Sequence, residues 1–395
     1  MAVPVKLVEL LKVRYAKRVM RNPFEYGSIV AEDAFCDRQE ELAQLRRAIE
    51  DGQRIFMYGE RRLGKTSLVK RLLAKLNKRD YIAVYIDLWS TDSDATFIEA
   101  FASTLTEAAS STPQKMLDFA KNFFGRLAPS ITLDHEGKPE ISFAFARHRA
   151  IQPTLDELLS APERIAQSVN KKVVIVFDEF QQIFEYENDT VERSMRSALQ
   201  TQPNVSYIFL GSRKHVISKM VLDKSRPFYK AGPHFSLKPI PTKEWMEFIR
   251  KRFEDSDKTI SDKHIQAVCA LTEGHPFYTQ HLCHALWELT ETYTAVNDAK
   301  IREALEVVLA REDYAYDMIW ESLTVSQRRM LEGLALEPPD VQAYSAEFLD
   351  KYELKSASTA QRAVKSLADR EIIDLEAGHY FIVDRFFRQW IAQKH

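Results

Sequence analysis

The chain has 395 residues, with 55 Lys and Arg against 57 Asp and Glu, a formal net charge of −2 and 45% hydrophobic residues. That balance suits two or three globular domains and excludes both a disordered chain and a uniformly basic nucleic-acid coat. Three scattered cysteines, Cys36, Cys269 and Cys283, suit a reduced cytoplasmic protein better than a disulfide framework. No run approaches the roughly 18 apolar residues that span a bilayer, and Lys6, Glu9, Lys12 and Arg14 interrupt the N-terminal segment, so neither membrane insertion nor export is expected.

In chain order, residues 1–30 read as a basic arm, with six Lys or Arg and one Glu up to Arg21. Such an arm either contacts an acidic partner or docks on its own protein. From residue 31 to about 240, short apolar runs alternate with helical periodicity, the pattern of an α/β domain with a mainly parallel sheet. Expected strands are Arg54–Tyr58, Tyr81–Asp87, Val173–Phe177, Val205–Leu210 and Phe235–Leu237. Roughly 85 residues separate the second strand from the third, too many for a loop. Within them Ile131–Leu133 and Ile141–Phe145 alternate around Asp134-His135-Glu136-Gly137-Lys138 and predict a β-hairpin flanked by helices, an inserted segment at about 110–160.

After Pro239 and Pro241 the periodicity is helical to about residue 321, with amphipathic runs at Trp245–Phe253, His264–Leu271, Phe277–Leu289 and Ile301–Leu309. We read 241–321 as a helical lid. Residues 322–395 then give three short helices, two strands around Gly378 and a closing aromatic helix with Phe386, Phe387 and Trp390. That order is a winged helix-turn-helix. Ser358-Thr359-Ala360-Gln361 looks like a capping box opening the helix that would enter a DNA major groove. Yet this segment holds ten Lys or Arg against eleven Asp or Glu, without the positive footprint of a strong DNA binder. DNA, reached through the winged helix and basic arm together, or a protein partner, or nucleotide-dependent self-association, all remain open.

The most specific signal is Gly59-Glu60-Arg61-Arg62-Leu63-Gly64-Lys65-Thr66, followed by Ser67. It is a full Walker A pattern between an expected strand and a helix with Leu68, Val69, Leu72, Leu73 and Leu76 on its apolar face. The glycines let the chain wrap with its N–H groups inward, and the helix presents its positive N-terminal end to phosphate. Lys65 would reach the β- and γ-phosphates of ATP, and Thr66 would ligate Mg²⁺. Val173 to Phe177 is an apolar strand tipped by Asp178 and Glu179. Asp178 would hold the magnesium and Glu179 would act on the attacking water. Asn170-Lys171 lacks the following Asp of the guanine-reading pattern, which favours adenine.

These residues resemble the STAND-type P-loop ATPases, in particular the archaeal and bacterial ATPase family related to AAA+ origin-recognition ATPases. The likeness rests on Phe35-Cys36-Asp37-Arg38-Gln39-Glu40-Glu41-Leu42, on Gly59 to Thr66, on Asp178-Glu179 and on Gly274-His275-Pro276. Asp37 and Gln39 stand where Gly and Glu are usual. The resemblance implies an ASCE P-loop fold, with the sensor strand between the Walker A and Walker B strands, a helical lid and a C-terminal winged helix. It implies an ATP-hydrolysing switch, with a nucleotide-gated DNA-binding or scaffold protein as the alternative. It also implies Arg38 and Pro276 beside adenine, Ser212 or Arg213 as first sensor, and Arg226 or Lys230 as a charge-neutralising finger. His275, His281, Cys283 and His284 crowd one lid segment, but without the paired spacing of a zinc site.

Overall fold

The computed structural model describes residues 21–27, 35, 36, 38–110, 112–133, 137–144, 151–212, 223, 224 and 226–394. Most of the basic arm, Asp37, the tip of the inserted hairpin, Phe145, Arg213 and Ser225 therefore lie outside the described residues. By its internal contacts the chain divides into two compact units, Arg38–Lys238 and the described residues from Pro239 onward together with the described residues before Arg38.

The first unit is built on a parallel sheet of β1 (Arg54–Tyr58), β2 (Tyr81–Asp87), β5 (Lys172–Asp178), β6 (Val205–Gly211) and β7 (His234–Ser236), in the order β2-β5-β6-β1-β7. The strand that ends in Gly211-Ser212 thus lies between the Walker A and Walker B strands, the order implied by the resemblance. Val173 to Phe177 is fully buried, as an unbroken apolar strand covered on both faces must be. Phe177 pairs in register with Phe209, and Phe209 with Phe56. Their rings stack across the three strands at 5.8 and 4.7 Å between centroids, a ladder that fixes both register and strand spacing. Helices α1 (Gln39–Glu50), α2 (Lys65–Ala74), α3 (Asp94–Ala109), α5 (Ile151–Val169) and α6 (Thr190–Leu199) belong to this unit.

The inserted segment carries structure, as its length requires. Ser93 and Thr96 form a capping box that starts α3, and Thr112 caps α4 (Pro113–Phe123) with proline at its first turn. The hairpin is β3 (Ala128–Leu133) with β4 (Pro139–Ala144), Ile131 opposite Ile141. Ile141 and Phe143 are buried while Ser130 and Thr132 on the other face are exposed, a two-faced hairpin with one face on the core. The last parallel strand starts one residue earlier than the apolar run suggests, and Leu237 still donates its N–H to Tyr58 O at 2.9 Å.

The second unit holds α7 (Thr242–Glu254), α8 (Asp262–Thr272), α9 (Pro276–Leu289), α10 (Asp298–Glu321), α11 (Val325–Leu336), α12 (Ala346–Lys351), α13 (Ala357–Asp369), the antiparallel pair β8 (Ile373–Glu376) and β9 (His379–Ile382), and α14 (Arg385–Lys394). Trp245, Phe253, Leu282, Leu286 and Val308 share one core with Leu331, Leu367, Phe386 and Trp390. The expected lid and winged helix are thus continuous. The link is α10, which runs on to Glu321 and lays Tyr316 against Phe387 and Trp320 against Trp390.

The expected cap of α13 is corrected. Ser356, not Ser358, is the N-cap, accepting from Thr359 N at 3.2 Å. Of two equivalent hydroxyls the earlier one adds half a turn to the helix and keeps Ala360, Val364 and Leu367 on the buried face. The described end of the arm is docked in this unit. Phe24 is buried, Asn22 donates to His284 O and the Glu288 carboxylate, and Tyr26 stacks on His281 at 3.9 Å. The histidines of α9 thus pack among rings, and Cys283, which is fully buried, has its thiol pushed well up by burial.

Glu273 and Gly274 both adopt left-handed backbone, with φ of 53° and 65°, and turn the chain from α8 into α9. A side chain at Gly274 would meet Ile240 O at 2.3 Å, so glycine is required there. Glu273 spans Arg385 and Arg388 at 3.0 and 2.8 Å, tying the turn to α14. Arg385 is buried, so Glu273→Ala should cost about 2 kcal/mol. Trp245, Trp287, Trp320 and Trp390 all lie in this unit, so tryptophan fluorescence in urea reads the loss as a lower midpoint. An unchanged midpoint would mean that the ion pair adds no net stability.

Candidate nucleotide site

The site forms where β1, β5 and β6 end at the carboxyl edge of their sheet, the edge at which parallel α/β sheets hold ligands. Between β1 and α2 the loop turns through left-handed Arg62 (φ 61°) and Gly64 (φ 85°). At Gly59 a Cβ would lie 2.7 Å from Leu237 O, so the loop can start only with glycine.

Lys65, the first residue of α2, folds back into this loop. Its Nζ donates to Gly59 O at 2.9 Å and to Glu60 O at 2.6 Å, and the side chain is buried. Burial pulls its pKa from the usual lysine range down to about 8, against the attraction of Glu179 and Asp178. The ammonium is thereby held ready at the mouth of a loop whose helix presents a positive N-terminal end.

Thr66 donates to Asp178 Oδ2 at 2.6 Å, and Asp178 is buried at the tip of β5. Its other oxygen accepts the N–H of Glu179 at 2.9 Å. A hydroxyl and a carboxylate in contact, beside a phosphate-binding loop, are the hard oxygen donors that suit Mg²⁺. The residues present fit such an ion, and Thr66 and Asp178 would hold it.

Glu179 leaves the strand in left-handed conformation, φ 50°. This rotates its carboxylate toward β6, where Ser212 Oγ donates to Glu179 Oε2 at 3.0 Å. Lys65, Thr66, Asp178, Glu179 and Ser212, singled out in the sequence, are therefore linked within one cluster. Two further residues join it. Tyr85 of β2 donates its hydroxyl to Asp178 Oδ2, and Gln181 donates to Glu179 Oε2. The Tyr85 phenol is pushed well up, first by burial and then by Asp178. Neither was legible beforehand, because Tyr85 is two residues before Asp87, and only the β2–β5 pairing sets Asp87 opposite Asp178.

Other expected residues are placed differently. Arg38 caps α1 with φ 72°, and its guanidinium is engaged by Glu41 and by Lys238 O, each at 2.7 Å. Pro276 opens α9 in the second unit. Arg226 is paired with Glu192 at 3.3 Å and lies over the Phe184 ring. Burial raises the Glu192 carboxyl to about 6 although Arg226 opposes it. The Lys230 ammonium lies over Tyr229.

The lowered pKa of Lys65 makes a testable prediction. Bound phosphate would favour the ammonium, so the bound pKa lies above the free value, and above about pH 8 the free protein must take up a proton to bind. ATP affinity should be level below that pH and fall by up to about tenfold per unit above it. Titration calorimetry in buffers of different ionisation heat should show the proton uptake. Lys65→Ala should remove this pH dependence and most of the affinity, a charge-assisted contact being worth about 1.5–3 kcal/mol. Affinity independent of pH, or unchanged in the variant, would take Lys65 out of the site.

Comparison with known proteins agrees with this geometry. Residues 35–282 match a family described as an ATPase domain predominantly from Archaea, and residues 314–393 match a probable winged helix domain. No curated protein matches. Among solved structures, a Walker-type ATPase of Pyrococcus abyssi is similar at 17% identity with a TM-score of 0.61, covering 91% of this chain and 97% of that one. The ORC2 protein of Aeropyrum pernix, solved in ADPNP-ADP complexes, is similar at 12% identity with a TM-score of 0.53, covering 94% and 98%. At such identities the likeness establishes fold, whereas the family match spans more than half of the sequence. The chain belongs to the ATPase family found predominantly in Archaea, with a winged helix after its ATPase domain.

Proposed function

We propose that the chain binds and hydrolyses ATP as a molecular switch. The observation that carries this reading is the hydrogen-bonded set Thr66, Asp178 and Glu179 at the carboxyl edge of one sheet, beside the loop that holds Lys65. A binding site alone needs Lys65, Thr66 and Asp178, whereas Glu179 adds a carboxylate able to act as a base. Backbone N–H groups from Gly59 to Thr66 would cradle the phosphates, and Lys65 would neutralise the β- and γ-phosphates. When bound, Mg²⁺, held by Thr66 and Asp178, would supply further neutralisation of phosphate charge.

Glu179 would take the proton of the attacking water. The water oxygen bonds to the γ-phosphorus as the bond to the β,γ-bridging oxygen breaks, leaving ADP and phosphate. Ser212 would orient Glu179 in its sensor role. Adenine is favoured over guanine because Asn170 and Lys171 precede β5, at the end opposite Asp178. Arg38 and Pro276 as adenine contacts, and nucleotide control of the lid and winged helix, rest on the family resemblance. Among the described residues no helix is long and apolar enough to cross a membrane, and a DNA or protein partner would act through the winged helix.

Glu179→Gln tests the reading. It keeps Lys65, Thr66 and Asp178 but removes the base, so ATP affinity should hold while single-turnover hydrolysis falls by about 10²–10⁴. Wild-type hydrolysis in the variant would move water activation to another residue. ATP binding without turnover in the wild type, with or without duplex DNA, would favour the nucleotide-gated binder.

A further inference from the structure

We propose that Gln181 is a positioning residue for hydrolysis, a buried amide that aims Glu179 at the attacking water. The inference rests on the reading of Glu179 as general base. After Glu179 turns out of β5, the chain closes into a 3₁₀ turn, Phe180–Glu185, with Gln182 N donating to Glu179 O at 2.8 Å. Phe180 and Ile183 are buried, and Phe180 packs against Phe209 and Phe228 at 4.5 and 5.5 Å between centroids. This wedge returns Gln181 to the site, with its side chain alongside that of Glu179.

Gln181 is only 5% exposed, and burying an amide is costly unless it is hydrogen-bonded. Its Nε2 donates to the carboxylate of Glu179 and to Ser212 Oγ at 3.3 Å. Most side-chain hydrogen bonds go to backbone or water. This one bonds to two side chains of the cluster. Ser212 and Gln181 both donate to Glu179 Oε2, which restrains a long, rotatable side chain and leaves Oε1 as the oxygen to receive a proton. A base restrained in this way loses less rotamer freedom on reaching the transition state.

The test uses the full chain and four proteins: wild type, Gln181→Met, Gln181→Glu and Glu179→Gln. Each is measured for ATP affinity and for single-turnover rate against pH. Gln181→Met keeps length and burial but cannot donate, so the rate should fall on the order of 10²-fold, the cost of a misplaced group, with affinity within about threefold of wild type. Gln181→Glu sets a second carboxyl beside Glu179, and neighbouring carboxyls share a proton with one raised apparent pKa. The shared proton can replace the amide donor, so activity should survive toward acid pH and fall as pH rises, a profile absent from the wild type.

Wild-type rate and pH profile in both Gln181 variants, with Glu179→Gln inactive, would overturn the positioning role and leave the base intact. Parallel loss of affinity and rate in both Gln181 variants would likewise overturn it, in favour of a packing role. Wild-type hydrolysis by Glu179→Gln would overturn the base reading and this inference together.

Discussion

The hydrogen bond from Thr66 to Asp178 joins residues 112 positions apart, and the candidate site depends on it. It brings the first turn of α2 against the tip of β5, although β1 and β5 are not neighbours. The contact exists because β6 lies between them and all three strands run parallel, so that their carboxyl ends finish on one edge. Beneath that edge, the stacked rings of Phe56, Phe209 and Phe177 hold the spacing. A single-residue slip would move those rings to the other face of the sheet and separate Thr66 from Asp178.

Electrostatics at this edge are arranged before any ligand arrives. Lys65 is held by two loop carbonyls, which take up two of its three donors but cannot neutralise its charge, and burial of that charge lowers its pKa. An anion that brings compensating charge relieves it. Asp178 is provided with donors from Thr66, Tyr85 and the Glu179 N–H, so its carboxylate is oriented in advance. Glu179 is the exception to strand geometry, and its left-handed backbone lets adjacent acids serve different neighbours: Asp178 the loop, and Glu179 the β6 side of the sheet.

Local chemistry made much of this legible. The loop from Gly59 to Thr66 and the tip Asp178-Glu179 are contiguous motifs whose residue types state their task. The strands carrying them are short apolar runs found within a residue of expectation. Sheet order was a different matter: it came from a family resemblance, because periodicity says nothing of which strands pair. Tyr85 and Gln181 belong to the site only through long-range pairing and a turn that folds back, so neither stood out from ordinary strand and loop residues. The cap at Ser356 was displaced because Ser-x-Ser offers two equivalent hydroxyls. Continuity of the lid with the winged helix was hidden because Tyr316 and Trp320 fall beyond the periodic run at Ile301–Leu309. The resemblance implies Arg226 as a charge-neutralising finger, and its pairing with Glu192 could not be seen because Glu192 lies 34 residues away in sequence.

The most direct test of this assembled edge is single-turnover conversion of γ-labelled ATP by the purified full-length chain, with Mg²⁺ and with a chelator. A site built from Lys65, Thr66, Asp178 and Glu179 should release labelled phosphate with Mg²⁺ and none with chelator, at a rate unaffected by equimolar GTP. Failure to bind ATP at all, or release that persists in chelator, would contradict the assignment of these residues to nucleotide chemistry.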